Sequence, residues 1–211
     1  MRKWYPIILI ALAIFVSAIS YPRLPNQVPT HWDIHGNAND YGSKSLGLFL
    51  LPVLMVGIWA LMRALPSIDP RHDNYAKMRG AYDLVVNATL TLLLLVHAVS
   101  IGAMLGLPIS IARIIPALLG VLFIVIGNVL PQARPNWFFG IRTPWTLSND
   151  RVWQRTHRIG GYLFVGCGLI IIATAIFPPE IGFPILLVAA LAAAFGSALF
   201  SYIAWKQETS K

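Results

Sequence analysis

Two stretches of this 211-residue chain hold side chains able to do chemistry. The first is Pro29-Thr30-His31-Trp32-Asp33-Ile34-His35-Gly36, with Asp40 just beyond. Imidazoles four residues apart share a face of a helix and can share a metal ion. Here Pro22, Pro25 and Pro29 impose extended backbone instead, and Gly36-Asn37 signals a turn. No glutamate follows His31 to complete the His-Glu-x-x-His pattern of zinc hydrolases. Two histidines leave a four-coordinate zinc site incomplete, so no structural metal and no cofactor is expected. The simpler expectation is a small segment in which the histidines hydrogen-bond locally while Trp32 and Tyr41 dip into a membrane interface.

The second stretch is Pro131–Gly161, PQARPNWFFGIRTPWTLSNDRVWQRTHRIGG. It sets Trp137, Phe138, Phe139, Trp145 and Trp153 among five arginines. That is the composition of a folded element held against a membrane, with aromatics for the interfacial zone and arginines for phosphates, carboxylates or carbonyls. Arg142 lies between Gly140 and Pro144, where its planar fork can meet carbonyls at a helix end or a lipid phosphate. Ser148 is expected to cap a short helix over Asn149–Arg158, with Asp150 in its first turn. Trp153 and His157 then share a face. Val152 and Trp153 face the membrane or the bundle, and Arg151, Arg155 and Arg158 reach for headgroups. Both a binding site and a simple interfacial anchor fit this pattern. No nucleophile–base pair, phosphate loop or metal cluster has usable spacing, so the chain is not expected to be an enzyme.

The elements that carry these stretches follow from composition. Residues are 57% hydrophobic and 11% charged, against roughly 25% charged in soluble domains, and mean hydropathy is +0.68. The apolar surplus falls in six runs: Trp4–Tyr21, Leu46–Leu65, Leu84–Leu105, Ile109–Leu130, Ile159–Phe177 and Ile181–Trp205. Each is close to the ~20 residues a helix needs to cross a bilayer, and none alternates as a barrel strand does. The first is too long and bulky for a signal-peptide core and is read as a retained span. The predicted fold is an all-α integral membrane protein, a six-helix bundle. It has a short outer segment after helix one and a structured cytoplasmic loop between helices four and five.

Basic residues set the expected orientation. With the N-terminus inside, only Arg23, Lys44 and Arg113 of the 16 Lys and Arg face out, and the other 13 face the cytoplasm. That bias is the positive-inside pattern and places both termini in the cytoplasm. The net charge of +8 is then matched by anionic lipid, with no direct nucleic-acid partner required. The expected division is residues 1–65, holding the first two spans and the outer segment, and residues 66–211, a four-span bundle with the loop at 131–161.

Within the spans, His97, Asn87, Asn128 and Thr174 are costly in hydrocarbon unless they meet protein or water. Hydrogen bonding to neighbouring helices is the default for the asparagines. His97 could do the same or act as a proton-relay or ligand residue. No carboxylate lies mid-span, which weakens a proton-coupled transporter. Cys167 is alone and reads as a buried inert thiol. Ala189, Ala193, Ser197 and Ser201, and the Gly102-x-x-x-Gly106 pair, are small residues at helical spacing that allow close helix approach.

The residues also resemble a known family. The Pro-x-His-Trp…Gly stretch with Asp40-Tyr41-Gly42-Ser43-Lys44 resembles a small N-terminal domain of many bacterial membrane proteins. Asn128…Pro135-Asn136…Phe139-Gly140-Ile141-Arg142-Thr143-Pro144-Trp145-Thr146-Leu147-Ser148…Val152-Trp153…His157-Arg158…Gly161 resembles the signature of the SdpI family. These are immunity proteins against the sporulation-delaying-protein toxin. The resemblance implies a multi-pass protein of the bacterial plasma membrane that protects its host from a secreted, membrane-active peptide and recruits a cytosolic transcriptional repressor. It implies a partner-binding loop built on Asn136, Gly140, Arg142, Thr143, Pro144, Trp145, Thr146, Trp153, His157 and Arg158, with His31, Trp32, His35 and Gly36 in the outer segment. The alternative is a membrane enzyme or small-solute transporter using the His31/His35 segment or the Arg142 loop.

Overall fold

The computed structural model describes residues 4–210. Arg2, Lys3 and Lys211, counted above among the basic residues, lie outside the described residues. Ten elements follow the chain: α1 Tyr5–Ser20, β1 Gln27–Trp32, β2 Ala38–Ser43, α2 Lys44–Ile68, α3 Asp73–Lys77, α4 Arg79–Met104, α5 Ile111–Val129, α6 Pro144–Ser148, α7 Asp150–Thr174 and α8 Pro179–Thr209. Six helices, α1, α2, α4, α5, α7 and α8, are long and apolar enough to cross a membrane. They are helices because lipid supplies no partner for backbone N–H and C=O groups.

The helices pack in two groups of three joined by contact between α4 and α5. In the first, α1, α2 and α4 enclose Leu9, Ile10, Ala13, Met55 and Leu90. His97 is buried there, and its Nε2 lies 2.9 Å from Ser17 Oγ of α1. The same hydroxyl reaches the Leu48 carbonyl of α2 at 2.7 Å. The expected inter-helix hydrogen bond of His97 is therefore present, and it ties three helices together. In the second group, α7 lies between α5 and α8 around Cys167, Ile171, Ala189 and Ala193.

The α5–α7 seam is made by glycine. A Cβ on Gly120 would sit 2.6 Å from the Gly168 carbonyl oxygen, and one on Gly127 would sit 2.7 Å from that of Gly161. Any side chain at these four positions would push the backbones apart, so the helices approach more closely than larger residues permit. Ala189, Ala193, Ser197 and Ser201 are buried as the small stripe of α8 predicts. The Gly102/Gly106 pair does something else. Gly106 has φ +78° and receives the chain as it leaves α4, where Leu107 N–H bonds the Gly102 carbonyl at 3.0 Å. A Cβ on Gly102 would meet Ile109 of the same turn rather than another helix. The two glycines end a helix; they do not join one to another.

The segment after α1 folds as a β-hairpin with the antiparallel register Gln27↔Ser43, Val28↔Gly42 and Pro29↔Tyr41. The proline-rich stretch is extended, as expected, and Val28 is buried against Leu24, Leu48 and Ile101. The hairpin thus sits at one end of the bundle. Residues 66–78 and 130–149 lie at the other, because α2, with 25 residues and a length of about 37 Å, runs between the two ends.

Candidate functional site

At the loop end, two connections fold into one cap around buried polar side chains. Asn136 is 1% exposed. Its amide donates to the carbonyls of Arg134 at 2.8 Å and Phe139 at 2.9 Å. Its oxygen accepts from Phe138 N–H at 2.9 Å, Phe139 N–H at 2.6 Å and the Tyr75 hydroxyl at 3.3 Å. One side chain therefore closes the turn after residue 134 and joins it to α3. Asn74 adds a second link, its amide donating to the Pro135 carbonyl at 2.8 Å.

Asp69 is the matching acceptor from the other connection. It is 2% exposed and takes hydrogen bonds from Arg71 N–H at 2.7 Å, the Tyr75 hydroxyl at 3.0 Å and Trp137 N–H at 2.9 Å. Burial, reinforced by the bond to Asp69, raises Tyr75 well above its ordinary value of 10.0. The hydroxyl thus stays a donor, as both of its acceptors require.

Gly140 and His157 form the tightest contact of the cap. His157 is fully buried. Its Nε2 accepts from Ile141 N–H at 2.9 Å, and its Nδ1 lies 2.9 Å from the Trp153 carbonyl. An acceptor at Nε2 and a carbonyl at Nδ1 fix one arrangement, a neutral ring with the proton on Nδ1. Gly140 has φ +104°, and a Cβ there would come within 2.3 Å of His157 Nε2. Glycine is needed twice at that position, for its backbone angle and for the absent side chain. Trp153 stacks on His157 with ring centroids 4.1 Å apart and donates its indole N–H to the Ala133 carbonyl at 2.9 Å. This stretch of α7 thereby fastens both ends of the loop.

Between these fixed points, Thr143 and Thr146 form a capping box for α6. Thr143 also meets Ser201 Oγ of α8 at 2.9 Å, and Trp145 packs on Tyr202 with centroids 5.1 Å apart. Pro144 opens α6 at the first turn, where a missing N–H costs nothing. Arg142 projects outward, with one guanidinium N–H donated to the Trp137 carbonyl at 3.0 Å. Trp137 is 50% exposed, and Arg158 is exposed on α7.

The cap of α7 differs from expectation. Ser148 ends α6; Asn149 is the cap, its side chain accepting from Arg151 and Val152 N–H groups. There is no separate interfacial helix over 149–158, because α7 runs unbroken from Asp150 to Thr174. Val152 and Trp153 face the bundle, both fully buried. Arg151 and Arg155 turn to Glu208 of α8 at 3.8 and 3.1 Å. Asn128 also departs from expectation, since its amide donates to Ile124 O of its own helix at 2.8 Å.

At the opposite end, the hairpin turn is organised by Asp33. Its carboxylate accepts from His35 and Asn37 N–H groups, both at 2.9 Å. The bond from Asn37 and then that from His35 hold the carboxyl below its ordinary value of 3.8. Gly36 takes φ +83° to close the turn. His31 reaches across the hairpin to Asn39 Oδ1 at 2.6 Å, and His35 points to Glu180 of α8 at 3.4 Å. Trp32 pairs with Ala38 in the register. The two histidines therefore turn to different partners. Among the described residues no group of three or more His, Cys, Asp or Glu side chains gathers as a metal site.

All ten loop residues named from the sequence gather at one end, and the four hairpin residues gather at the other. Asp69, Tyr75, Asn74 and Glu208 were not singled out from the sequence. Asp69 and Trp137 are 68 residues apart, and no local pattern links them. The one available signal was a carboxylate directly after a helix that ends in apolar residues.

Comparison with known proteins finds two family matches on separate parts of the chain. A domain of unknown function (DUF1648) matches residues 8–56, and the SdpI/YfhL protein family matches residues 132–203. The immunity protein SdpI of Bacillus subtilis (strain 168) is 32% identical over 201 residues, covering 95% of this chain and 94% of that protein. No solved structure matches. The similarity extends over nearly the whole length and includes hairpin, bundle and cap together, so the chain belongs to the SdpI family, as a multi-pass bacterial membrane protein.

Proposed function

We propose that this protein is a membrane immunity protein. It protects its cell from a secreted, membrane-active toxic peptide, and its cap recruits a cytosolic transcriptional repressor. The observation that carries this reading is the 32% identity to an immunity protein across 95% of the chain. It is not an enzyme on this reading, because the polar side chains of the cap are engaged with one another. In this orientation the cap lies in the cytoplasm with both termini, and the hairpin faces out. Asn136, Gly140, Thr146, Trp153 and His157 position the loop. Arg142, Trp145 and Arg158, with Thr143 and Pro144 holding them, present it to a partner.

The test is survival of a toxin-sensitive host at matched membrane levels of protein. The parent should protect, while Arg142→Lys, which keeps charge but loses the planar fork, and Trp145→Ala should protect poorly. No protection by the parent overturns the immunity reading. Full protection by both variants makes the loop a connector only. Reporters fused near Asn37 and after Thr209 should lie on opposite sides of the membrane.

A further inference from the structure

A groove of about 530 Å³ opens at the loop end of the α5–α7 seam, bordered by Arg134, Arg155 and Arg158. The arginines come from two separate elements, the connection after α5 and the second and third turns of α7. Four arginines at this end have an acidic partner: Arg71 meets Asp150 at 2.9 Å, Arg79 meets Asp83 at 3.9 Å, and Arg151 and Arg155 meet Glu208 at 3.8 and 3.1 Å. Arg134 and Arg158 are exposed, make no ion pair among the described residues, and face the same groove. Arg155 is held beside them by Glu208 and by Gln207 at 2.6 Å.

The groove also interrupts a surface that should be apolar. Asn128 is exposed near the end of α5, and Tyr162 is 67% exposed on α7. Both line the groove, whose remaining wall includes Val165 and the close-packed Gly127 and Gly161. A polar amide exposed on a span is costly in hydrocarbon and favourable beside a headgroup. Unpaired guanidinium groups suit phosphate oxygens, and the apolar wall below suits the start of an acyl chain.

We propose that this groove is a binding site for an anionic phospholipid of the leaflet that borders the cap. Its phosphate lies between Arg134 and Arg158, and its glycerol and first methylenes lie along the α5–α7 seam. Such a lipid would bridge the loop and α7 at the place where the cap is fastened to the bundle.

The test uses the purified protein in zwitterionic detergent, with thermal unfolding followed as dioleoyl phosphatidylglycerol, dioleoyl phosphatidylcholine or inorganic phosphate is added. Phosphatidylglycerol should stabilise saturably and phosphatidylcholine should not. The pair Arg134→Gln/Arg158→Gln should weaken that response about 25-fold, at about fivefold per arginine. The pair Arg63→Gln/Arg79→Gln removes the same charge outside the groove and should leave it unchanged. Gln154→Glu, an exposed groove position, should weaken the response by repulsion with both arginines in place, so the test survives misfolding of the double variant. Equal loss in both pairs, or no preference between the lipids, overturns the site. An equal response to inorganic phosphate overturns the lipid as its occupant.

Discussion

The two ends of this bundle use polar side chains in opposite ways. At the hairpin, the side-chain bonds within the turn and strands are local: Asp33 to residues two and four positions on, and His31 to a residue eight away. The polar side chains there are largely exposed. At the cap, Asp69, Asn136 and His157 are buried and join segments far apart, Asp69 to Trp137 across 68 residues. A local turn is made by its own sequence and tolerates its neighbours' changes. A buried network needs every member, because each loss strands a partner away from water. The signature residues crowd into the cap for that reason, and substitutions at the two ends should differ in cost.

The largest difference should come from glycine. Gly140→Ala forces a side chain into a positive-φ position and onto His157 Nε2. Strain and overpacking together should cost about 4 kcal/mol. Gly36→Ala meets only the positive φ and a 3.3 Å approach to Ala112 N, at about 1–2 kcal/mol. Reversible unfolding in mixed micelles compares them directly. Equal costs would remove the distinction between the ends.

Asn136→Ala should come next. It leaves the Phe138 and Phe139 N–H groups without their acceptor, at about 3 kcal/mol for buried groups. His31→Ala, which loses one exposed bond to Asn39, should change stability by no more than about 0.5 kcal/mol. Protease cleavage within residues 131–149 should rise in the first variant and stay unchanged in the second.

The same contrast explains what could be read from the sequence. The six spans were legible because the bilayer dictates length and apolarity residue by residue. The turn at Gly36-Asn37 was legible because its chemistry is local. The α7 boundary was misplaced by one cap residue, since Ser148 and Asn149 are both good caps and only the end of α6 decides between them. A continuous α7 was missed because its first turns are polar, and they are polar to serve the cap rather than to lie on a membrane. Asp69 and the Gly120–Gly168 and Gly127–Gly161 pairs were illegible for a common reason: each takes its meaning from a partner on another element. Gly102-x-x-x-Gly106 was misread because a spacing that suits a helix seam also suits a helix end.

Arg142→Lys sharpens the comparison from within the cap. Arg142 is exposed and bonds a single carbonyl, so its replacement should cost stability only about 0.5 kcal/mol. Its effect on protection should nevertheless be large if the proposed role is right. A stable variant that fails to protect separates presenting residues from positioning ones. Stability and protection falling together would assign Arg142 to the fold instead.

The smallest effect belongs to Asp33 and sets the lower bound of the comparison. Its carboxyl is held below its ordinary value of 3.8 by backbone donors from Asn37 and His35. A depressed value in the folded state means that the stabilisation is complete above 3.8 and is lost as pH falls through the folded value. Between pH 7 and pH 5 the turn should therefore be insensitive to Asp33. Below pH 3.8 the two bonds lose their charged acceptor, and hydrogen exchange at residues 35 and 37 should quicken. His35 also faces Glu180, so the measurement belongs in a His35→Gln background, where that pair does not contribute. Asp33→Asn keeps an acceptor oxygen without the charge and should abolish the acid step. Because, among the described residues, the Asp33 carboxylate bonds only His35 and Asn37 of its own turn, the change should stay within the hairpin and leave exchange in residues 131–149 unaltered. Acid-induced exchange spreading from residue 33 into the cap would show the two ends to be coupled and would end the division drawn between them.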